Sequence, residues 1–156
     1  MNIKFIALST EIVREYQNGK LDANEQKPES VISDGSGNPC RHCFTEIPEG
    51  KQMLILAYRP ETKINPYAEI GPIFLCGEKC QHHQKTSKLP KMFASWDRTL
   101  IRGYSEKGRI IYGTGSVVNM SDVSKVATNI FKNEDVRYIN LRSASYNCYQ
   151  CRIERD

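Results

Sequence analysis

Two pairs of closely spaced cysteines constrain this chain more than any other feature of its sequence. Cys40 and Cys43 are separated by two residues, and Cys76 and Cys80 by three. Two short thiol pairs that lie far apart in a chain can close on one tetrahedral ion, with each pair supplying one edge of the tetrahedron. The sequence therefore predicts a metal site that ties two distant segments to each other.

The residues around these pairs favour a structural zinc ion. The first pair precedes a turn at residues 47–50 and an apolar strand, as in a zinc knuckle that leads into a β-hairpin. The second pair follows an apolar strand, and we expect a short helix from about Glu78 whose amide groups favour a thiolate at Cys80. This order of elements resembles a treble-clef zinc site, in which four cysteine ligands leave no open coordination position.

Other uses of the same residues remain open at this stage. His42, His82 or His83 can replace a thiol in the ligand shell, although each is expected to lie at the surface or behind the ligands. The third pair, Cys148 and Cys151, can supply thiols to a different ligand set. Without a metal, the cysteines would be small apolar side chains of the core.

The composition predicts one domain in a reducing compartment. A chain of 156 residues with 39% hydrophobic residues is long enough to bury one core, so we expect a single domain over residues 1–156. No apolar run is long enough to span a membrane, and the apolar start at residues 3–8 is too short for the core of a signal peptide. We therefore expect a cytoplasmic protein, in which the six cysteines stay reduced.

The hydrophobic pattern predicts an α+β fold with a mostly antiparallel mixed sheet. The clearest helix covers about residues 121–132, where apolar residues recur at helical spacing behind Ser121 as an N-cap. A shorter N-terminal helix is expected from Thr10 to about Gln17. Strands are predicted at residues 3–8, 53–58, 71–75, 99–104, 109–118, 136–141 and 149–153, of which the fourth and fifth form a hairpin.

The third cysteine pair suggests a second class of function, a thiol-dependent enzyme. Cys148 would be the reactive thiol and Cys151 its resolving partner, with Arg142 or Arg152 favouring the thiolate by its charge. A reactive pair usually opens a helix, whereas this pair opens a predicted terminal strand. Two structural cysteines beside the sheet are therefore the competing interpretation.

Arginine and tyrosine side chains suggest a pocket for an anion or another ligand. Guanidinium groups bind phosphate and carboxylate, and both guanidinium and aromatic groups stack on nucleic-acid bases. The net charge of +4 falls short of the dense basic surface typical of nucleic-acid binders, so weak binding of single-stranded nucleic acid through the C-terminal arginines and tyrosines is only a second alternative. The candidate pocket residues are Tyr58, Tyr67, Arg102, Arg142, Tyr149 and Arg152.

Five short segments form a recognisable combination: Pro39-Cys40-Arg41-His42-Cys43, Leu54-Ile55-Leu56-Ala57-Tyr58, Pro66-Tyr67, Gly71-Pro72-Ile73-Phe74 and Cys148-Tyr149-x-x-Arg152-Ile153-x-Arg155. On these segments, the chain over about residues 39–156 resembles the DUF1203 family, whose members have no assigned function. Many members of that family have a histidine where this chain has Cys76, and imidazole and thiolate both bind zinc. The resemblance implies no reaction.

Two hypotheses from different classes follow from the sequence. The first is a cytoplasmic protein with a structural four-cysteine zinc site and a binding or interaction role. The second is the thiol-dependent enzyme, so the sequence leaves open whether the chain catalyses a reaction. It identifies no partner.

Overall fold

Residues 2–156 are described by a computed structural model. They form eight strands in two antiparallel sheets, three α-helices and one 3-10 turn. None of the helices within this range has the length and apolar character needed to traverse a bilayer. The strands are β1 (Ile3–Ile6), β2 (Glu29–Ile32), β3 (Gln52–Tyr58), β4 (Gly71–Cys76), β5 (Arg98–Tyr104), β6 (Ser116–Asn119), β7 (Tyr138–Ser143) and β8 (Tyr149–Arg155), and the helices are α1 (Thr10–Gln17), α2 (Lys91–Ala94) and α3 (Val123–Ile130), with the 3-10 turn at Met120–Asp122.

The larger sheet has five strands in the order β1-β8-β7-β5-β6. Successive side chains of a strand point to opposite faces, and one face of this sheet is apolar. It packs on α2 and α3, because α3 turns Val123, Ala127 and Ile130 toward it at helical spacing. The sheet contributes Phe5, Ile101, Ile139, Leu141, Cys151 and Ile153 to this core, each of them fully buried.

The smaller sheet has the order β2-β3-β4 and forms the second layer together with α1. Its apolar residues form a separate core with Val13 of α1, Ile47 and Tyr149, the last of which belongs to β8 of the larger sheet. A parallel bridge between Cys40 and Phe74 attaches the segment before β3 to this layer. The two layers therefore meet where Tyr149 enters the second core.

The second face of the larger sheet is polar where it meets the loop between β3 and β4. Tyr104, Asn140 and Arg142 lie on this face and are almost fully buried. Residues 59–70, which we call the covering segment, lie over them: Glu61 Oε1 accepts a hydrogen bond of 2.7 Å from Asn140 Nδ2. A buried layer of charged and polar groups thus separates the covering segment from the sheet.

The predicted α+β class is confirmed, with antiparallel pairing throughout both sheets. The short helix has its predicted range, but its N-cap is Ser9, which accepts a hydrogen bond from the Ile12 amide. The clear helix is shorter than predicted at both ends. Ser121 lies inside the 3-10 turn instead of capping α3, and Asp122 precedes the helix without a side-chain cap.

One predicted element is wrong, and another is shorter than predicted. No helix begins at Glu78, and residues 77–90 are irregular. Side chains of α1 donate hydrogen bonds to the carbonyl groups of Cys76, Glu78 and Cys80. In a helix, these carbonyl groups would accept from backbone amides instead. The hairpin after β5 is also less regular than predicted. β6 begins only at Ser116, because the Gly103 amide of β5 donates a hydrogen bond of 2.9 Å to the Thr114 hydroxyl.

Arg155, the last residue of β8, ties that strand to the end of α3. Its guanidinium donates hydrogen bonds to the carbonyls of Val136 at 2.6 Å, Phe131 at 2.9 Å and Asn133 at 3.1 Å. It also lies 4.8 Å from the centre of the Phe131 ring. A cation at a helix C-terminus satisfies carbonyl groups that have no partner within the helix.

We therefore expect Arg155→Ala to lower the free energy of unfolding by about 1.5–3 kcal/mol, the range for hydrogen bonds to a charged group. The matched control is Arg137→Ala, which breaks only an exposed ion pair with Glu106 and should change stability by less than about 1 kcal/mol. Urea denaturation followed by circular dichroism measures both. Equal losses in the two variants would contradict the role given to Arg155.

Candidate metal centre

The first cysteine pair is held in a tight turn. The Phe44 amide donates to the Cys40 carbonyl at 3.1 Å, and the Cys40 amide donates to the Thr45 carbonyl at 3.0 Å. Phe44 has a φ of 52°, so the chain reverses directly after Cys43. The Phe44 ring packs 5.1 Å from the Phe93 ring, which supports this uncommon backbone conformation. The turn points both thiols to one side.

The second pair begins at the end of β4. Cys76 pairs with Met53 of β3, and the chain turns away at Gly77, whose amide donates to the Gln52 carbonyl at 2.8 Å. A Cβ atom at residue 77 would lie 2.7 Å from Gln52 Cγ, so this close approach requires glycine. The turn places Cys80 beside Cys76.

The two pairs converge. The sulfur atoms of Cys40, Cys43, Cys76 and Cys80 all lie within 4.8 Å of one another, and those of Cys43 and Cys76 are 3.9 Å apart. Sulfur ligands about 2.3 Å from a tetrahedral ion stand about 3.8 Å from each other. The predicted four-cysteine cluster is therefore present, with spacing and donor chemistry that fit a metal ion.

Three of the four thiols have a hydrogen-bond partner that is not a thiol. His42 Nδ1 lies 3.0 Å from Cys80 Sγ, and its Nε2 lies 2.9 Å from the Thr10 hydroxyl. Burial lowers the pKa of His42, so the neutral ring donates from Nδ1 to a Cys80 thiolate and accepts from Thr10 at Nε2. The Thr45 hydroxyl is 3.1 Å from Cys43 Sγ, and the Cys76 amide donates to Cys40 Sγ at 3.4 Å.

His42 stands behind Cys80, and none of the three histidines belongs to the cluster. The cluster contains only cysteine side chains. The His82 ring lies 5.1 Å from that of His42, and the His83 ring lies 4.9 Å from that of Phe44. Both rings line an open groove beside Cys43, Cys76 and Cys80.

The thiols influence one another strongly. Hydrogen bonding with Cys40, and then with Cys76 and Cys80, lowers the pKa of Cys43. Hydrogen bonding to Cys40 and then to Cys43 raises the pKa of Cys76 and of Cys80. The pKa of Cys40 is also lowered, to about 7, because the opposing effect of hydrogen bonding with Cys43 is outweighed by hydrogen bonding with Cys76 and Cys80. Two thiols are thus favoured as thiolates, whereas thiolates at Cys76 and Cys80 need a cation.

Helix α1 secures the second pair, a contact that the sequence reasoning missed. Arg14 donates to the Cys80 carbonyl at 3.0 Å, and Gln17 donates to the carbonyls of Cys76 at 2.8 Å and Glu78 at 2.9 Å. Arg14 and Gln17 are three residues apart, which places them on one face of the helix. Their spacing could have revealed that face, but backbone carbonyls of a distant segment leave no mark in a sequence.

The third cysteine pair does not join the cluster. Cys151 is fully buried in the apolar core against the helices, and burial raises the pKa of its thiol. Cys148 is half-buried and lines a cleft between the layers. Both are free thiols. The structure therefore gives neither one a place among the candidate metal ligands.

The cleft between the layers has a volume of about 1160 Å³. Its walls include Arg41, Phe74, Trp96 and Cys148, together with Gln150. Gln150 is only 4% exposed, and its Oε1 has no hydrogen-bond partner. Burial lowers the pKa of Arg41 to about 10, so the guanidinium stays charged at neutral pH while it donates to the Tyr149 and Pro39 carbonyls.

The six predicted pocket residues make four separate sets of contacts. Arg102 and Arg142 both pair with Glu69 of the covering segment. Arg152 donates to the Pro60 carbonyl at 3.0 Å and stacks on the Tyr138 ring. The Tyr58 and Tyr149 rings pack together at 5.5 Å, whereas the Tyr67 hydroxyl contacts that of Tyr112. Glu69, which pairs with two of these arginines, was not identified from the sequence.

The hydrogen bond from His42 predicts an effect on metal affinity. We expect His42→Ala to weaken metal binding by about 10–100-fold, because a group that orients a ligand commonly has this effect. His82→Ala is the matched control and should change the affinity little, since His82 makes no hydrogen bond to a thiol in the described residues. Competition with a chromophoric chelator measures both affinities. Unchanged affinity in His42→Ala would contradict the proposed orientation of Cys80.

Comparisons with known proteins agree with the family resemblance. Comparison with curated proteins and with solved structures returned no match. Residues 37–155 match the family described as a protein of unknown function, DUF1203. This match covers the knuckle, both thiol pairs of the cluster and all strands from β3 onward. The chain therefore belongs to the DUF1203 family.

Proposed function

We propose that the four-cysteine cluster binds one structural Zn²⁺ ion and that the cleft between the layers binds a small ligand. The zinc proposal is carried by the sulfur spacing of 3.9 Å between Cys43 and Cys76, within a cluster no wider than 4.8 Å. Zinc favours four thiolates in a tetrahedron, whereas magnesium and calcium favour oxygen ligands. Bound zinc would supply a closed cross-link with no open position for substrate.

The zinc ion would stabilise the second layer, because all four cysteines belong to its core or pack against it. It would join the turn after Cys40 to the end of β4. The chain between these points, which consists of β3, the covering segment and β4, would thereby be fixed at both ends. Two cationic side chains interact with segments of the cluster: Arg14 bonds the Cys80 carbonyl, and Arg41 interacts electrostatically with Cys40. Their positive charges favour the net negative charge of four thiolates around a divalent ion.

The ligand proposal rests on the unsatisfied acceptor of Gln150. A buried polar atom without a partner is uncommon, and in a cleft it indicates a place where a donor binds. Phe74 and Trp96 add aromatic walls, and Arg41 adds a positive charge. The ligand class that fits is a small aromatic or apolar molecule with a hydrogen-bond donor and an acidic group. Six free thiols favour action in a reducing compartment such as the cytoplasm.

A thiol-dependent reaction at Cys148 is the second candidate function. It is favoured by the position of Cys148 in the cleft, whose walls also include Arg41. Cys151 is enclosed in the core, so this candidate uses one thiol. If Cys148 reacts with iodoacetamide no faster than free cysteine at each pH, this candidate is excluded.

Metal analysis tests the zinc proposal. We expect about one zinc per chain in protein purified without added metal. Cys76→Ser should reduce zinc to a trace and lower the thermal stability, because structural zinc contributes to the folding free energy. Cys148→Ser is the matched control and should keep its zinc. A wild-type protein with only trace zinc that also fails to bind added zinc contradicts the proposal.

Trp96 is the single tryptophan of the chain, and its place in the cleft gives a direct test of ligand binding. We expect the aromatic sulfonate 1-anilinonaphthalene-8-sulfonate to quench Trp96 emission on binding. Gln150→Leu should weaken this binding about 2–12-fold, which corresponds to one hydrogen bond. The exposed Gln26→Leu is the control. Equal binding by all three proteins would contradict a site at Gln150.

A further inference from the structure

The covering segment brings one carboxylate against two arginines of the larger sheet. Arg102 of β5 forms an ion pair with Glu69, and Arg142 Nη2 of β7 lies 3.3 Å from Glu69 Oε2. The Arg142 side chain is 2% exposed, that of Arg102 15% and that of Glu69 33%. The two guanidinium groups are thus fixed and buried, while the carboxylate that joins them reaches solvent.

Glu69 does not satisfy these arginines. Arg142 Nε and Nη2 have no hydrogen-bond partner, because the contact with Glu69 lacks hydrogen-bond geometry, and Arg102 Nε has none either. The buried hydroxyl of Tyr104, on the same face, is also without a partner. Most buried polar atoms in proteins are bonded, so several unpartnered donors in one patch indicate a place for additional acceptor oxygens.

The charges point to an anion as the source of those oxygens. Arg102 and Arg142 carry two positive charges, and Glu69 supplies one negative charge. The second nearby carboxylate, Glu61, bonds Asn140 and interacts electrostatically with Arg142. It interacts in the same way with Arg152, which pairs with Asn140 on the same face. The three arginines of this face therefore outnumber its two carboxylates. Guanidinium groups present forked donors that match carboxylate and phosphate oxygens. A single carboxylate oxygen of Glu69 shared between two guanidinium groups leaves this donor capacity unused.

We propose that Arg102 and Arg142 form a binding site for a small oxyanion of phosphate or carboxylate chemistry, which displaces the Glu69 carboxylate. Glu69 is the internal occupant of this site in the absence of the anion. Its partial exposure and its place in an irregular segment allow the side chain to swing outward without breaking a strand or helix. This site goes beyond the proposed function, because neither arginine belongs to the metal centre or lines the cleft.

The test measures binding of inorganic phosphate by isothermal titration calorimetry, in chloride of matched ionic strength. We expect the wild-type protein to bind phosphate weakly and Glu69→Gln to bind it at least about tenfold more tightly, because the competing carboxylate is gone while its size is kept. Acetate in place of phosphate forms the second arm. Tighter binding of either anion supports the proposal and tells whether the site favours a tetrahedral or a planar oxyanion.

Two further variants complete the design. Arg102→Gln in the Glu69→Gln background should abolish anion binding, and the exposed Arg137→Gln in the same background should leave it unchanged. If Arg102→Gln does not fold, the comparison of wild type with Glu69→Gln decides alone, since circular dichroism can verify that this conservative variant is folded. Failure of both anions to bind folded Glu69→Gln overturns the proposal, as does equal binding by wild type and Glu69→Gln.

Discussion

The convergence of four sulfur atoms is the contact on which the second layer depends. Cys40 and Cys43 lie on a turn closed by its own amide bonds, and Cys76 lies at the end of β4, where Gly77 lets the chain turn away. In this cluster the ionisation of Cys76 and Cys80 is opposed, because hydrogen bonding to Cys40 and then to Cys43 raises the pKa of each. A bound cation offsets the repulsion between thiolates. Cysteines that resist ionisation without a metal therefore become favourable ligands when a metal is bound.

Different interactions stabilise the contacts on the two faces of the larger sheet. Against α3, the sheet buries apolar side chains such as Ile139 and Leu141, and the hydrophobic effect is the main attraction between the sheet and the helix. Against the covering segment, it buries Arg142 and Asn140, which need partners to offset their loss of hydration. The apolar face can therefore pack against various apolar side chains, whereas the polar face needs carboxylate and carbonyl groups at specific positions.

The sequence predicted what depends on local pattern. The spacing of Cys40 and Cys43 predicted the knuckle, and alternating apolar residues predicted most strands. It did not predict the irregular segment after Cys80, because the preference of residues 78–82 for helix was overridden by Arg14 and Gln17 of α1. Nor did it predict that Arg102 and Arg142 meet at Glu69. That pairing depends on how the covering segment folds back, which local spacing does not encode.

The metal centre and the arginine pair lie at opposite ends of one structural arm. β3 and β4 form a hairpin whose open end holds Cys76 and whose closed end carries the covering segment with Glu61 and Glu69. Six residues of strand separate these ends by about 20 Å. Because the cluster fixes β4 at Cys76, the carboxylates approach the sheet from an arm that is anchored at its far end. A filled metal site therefore limits how far the hairpin of β3 and β4 can pivot. Rotation of the Glu69 side chain is then a smaller movement than displacement of the whole covering segment.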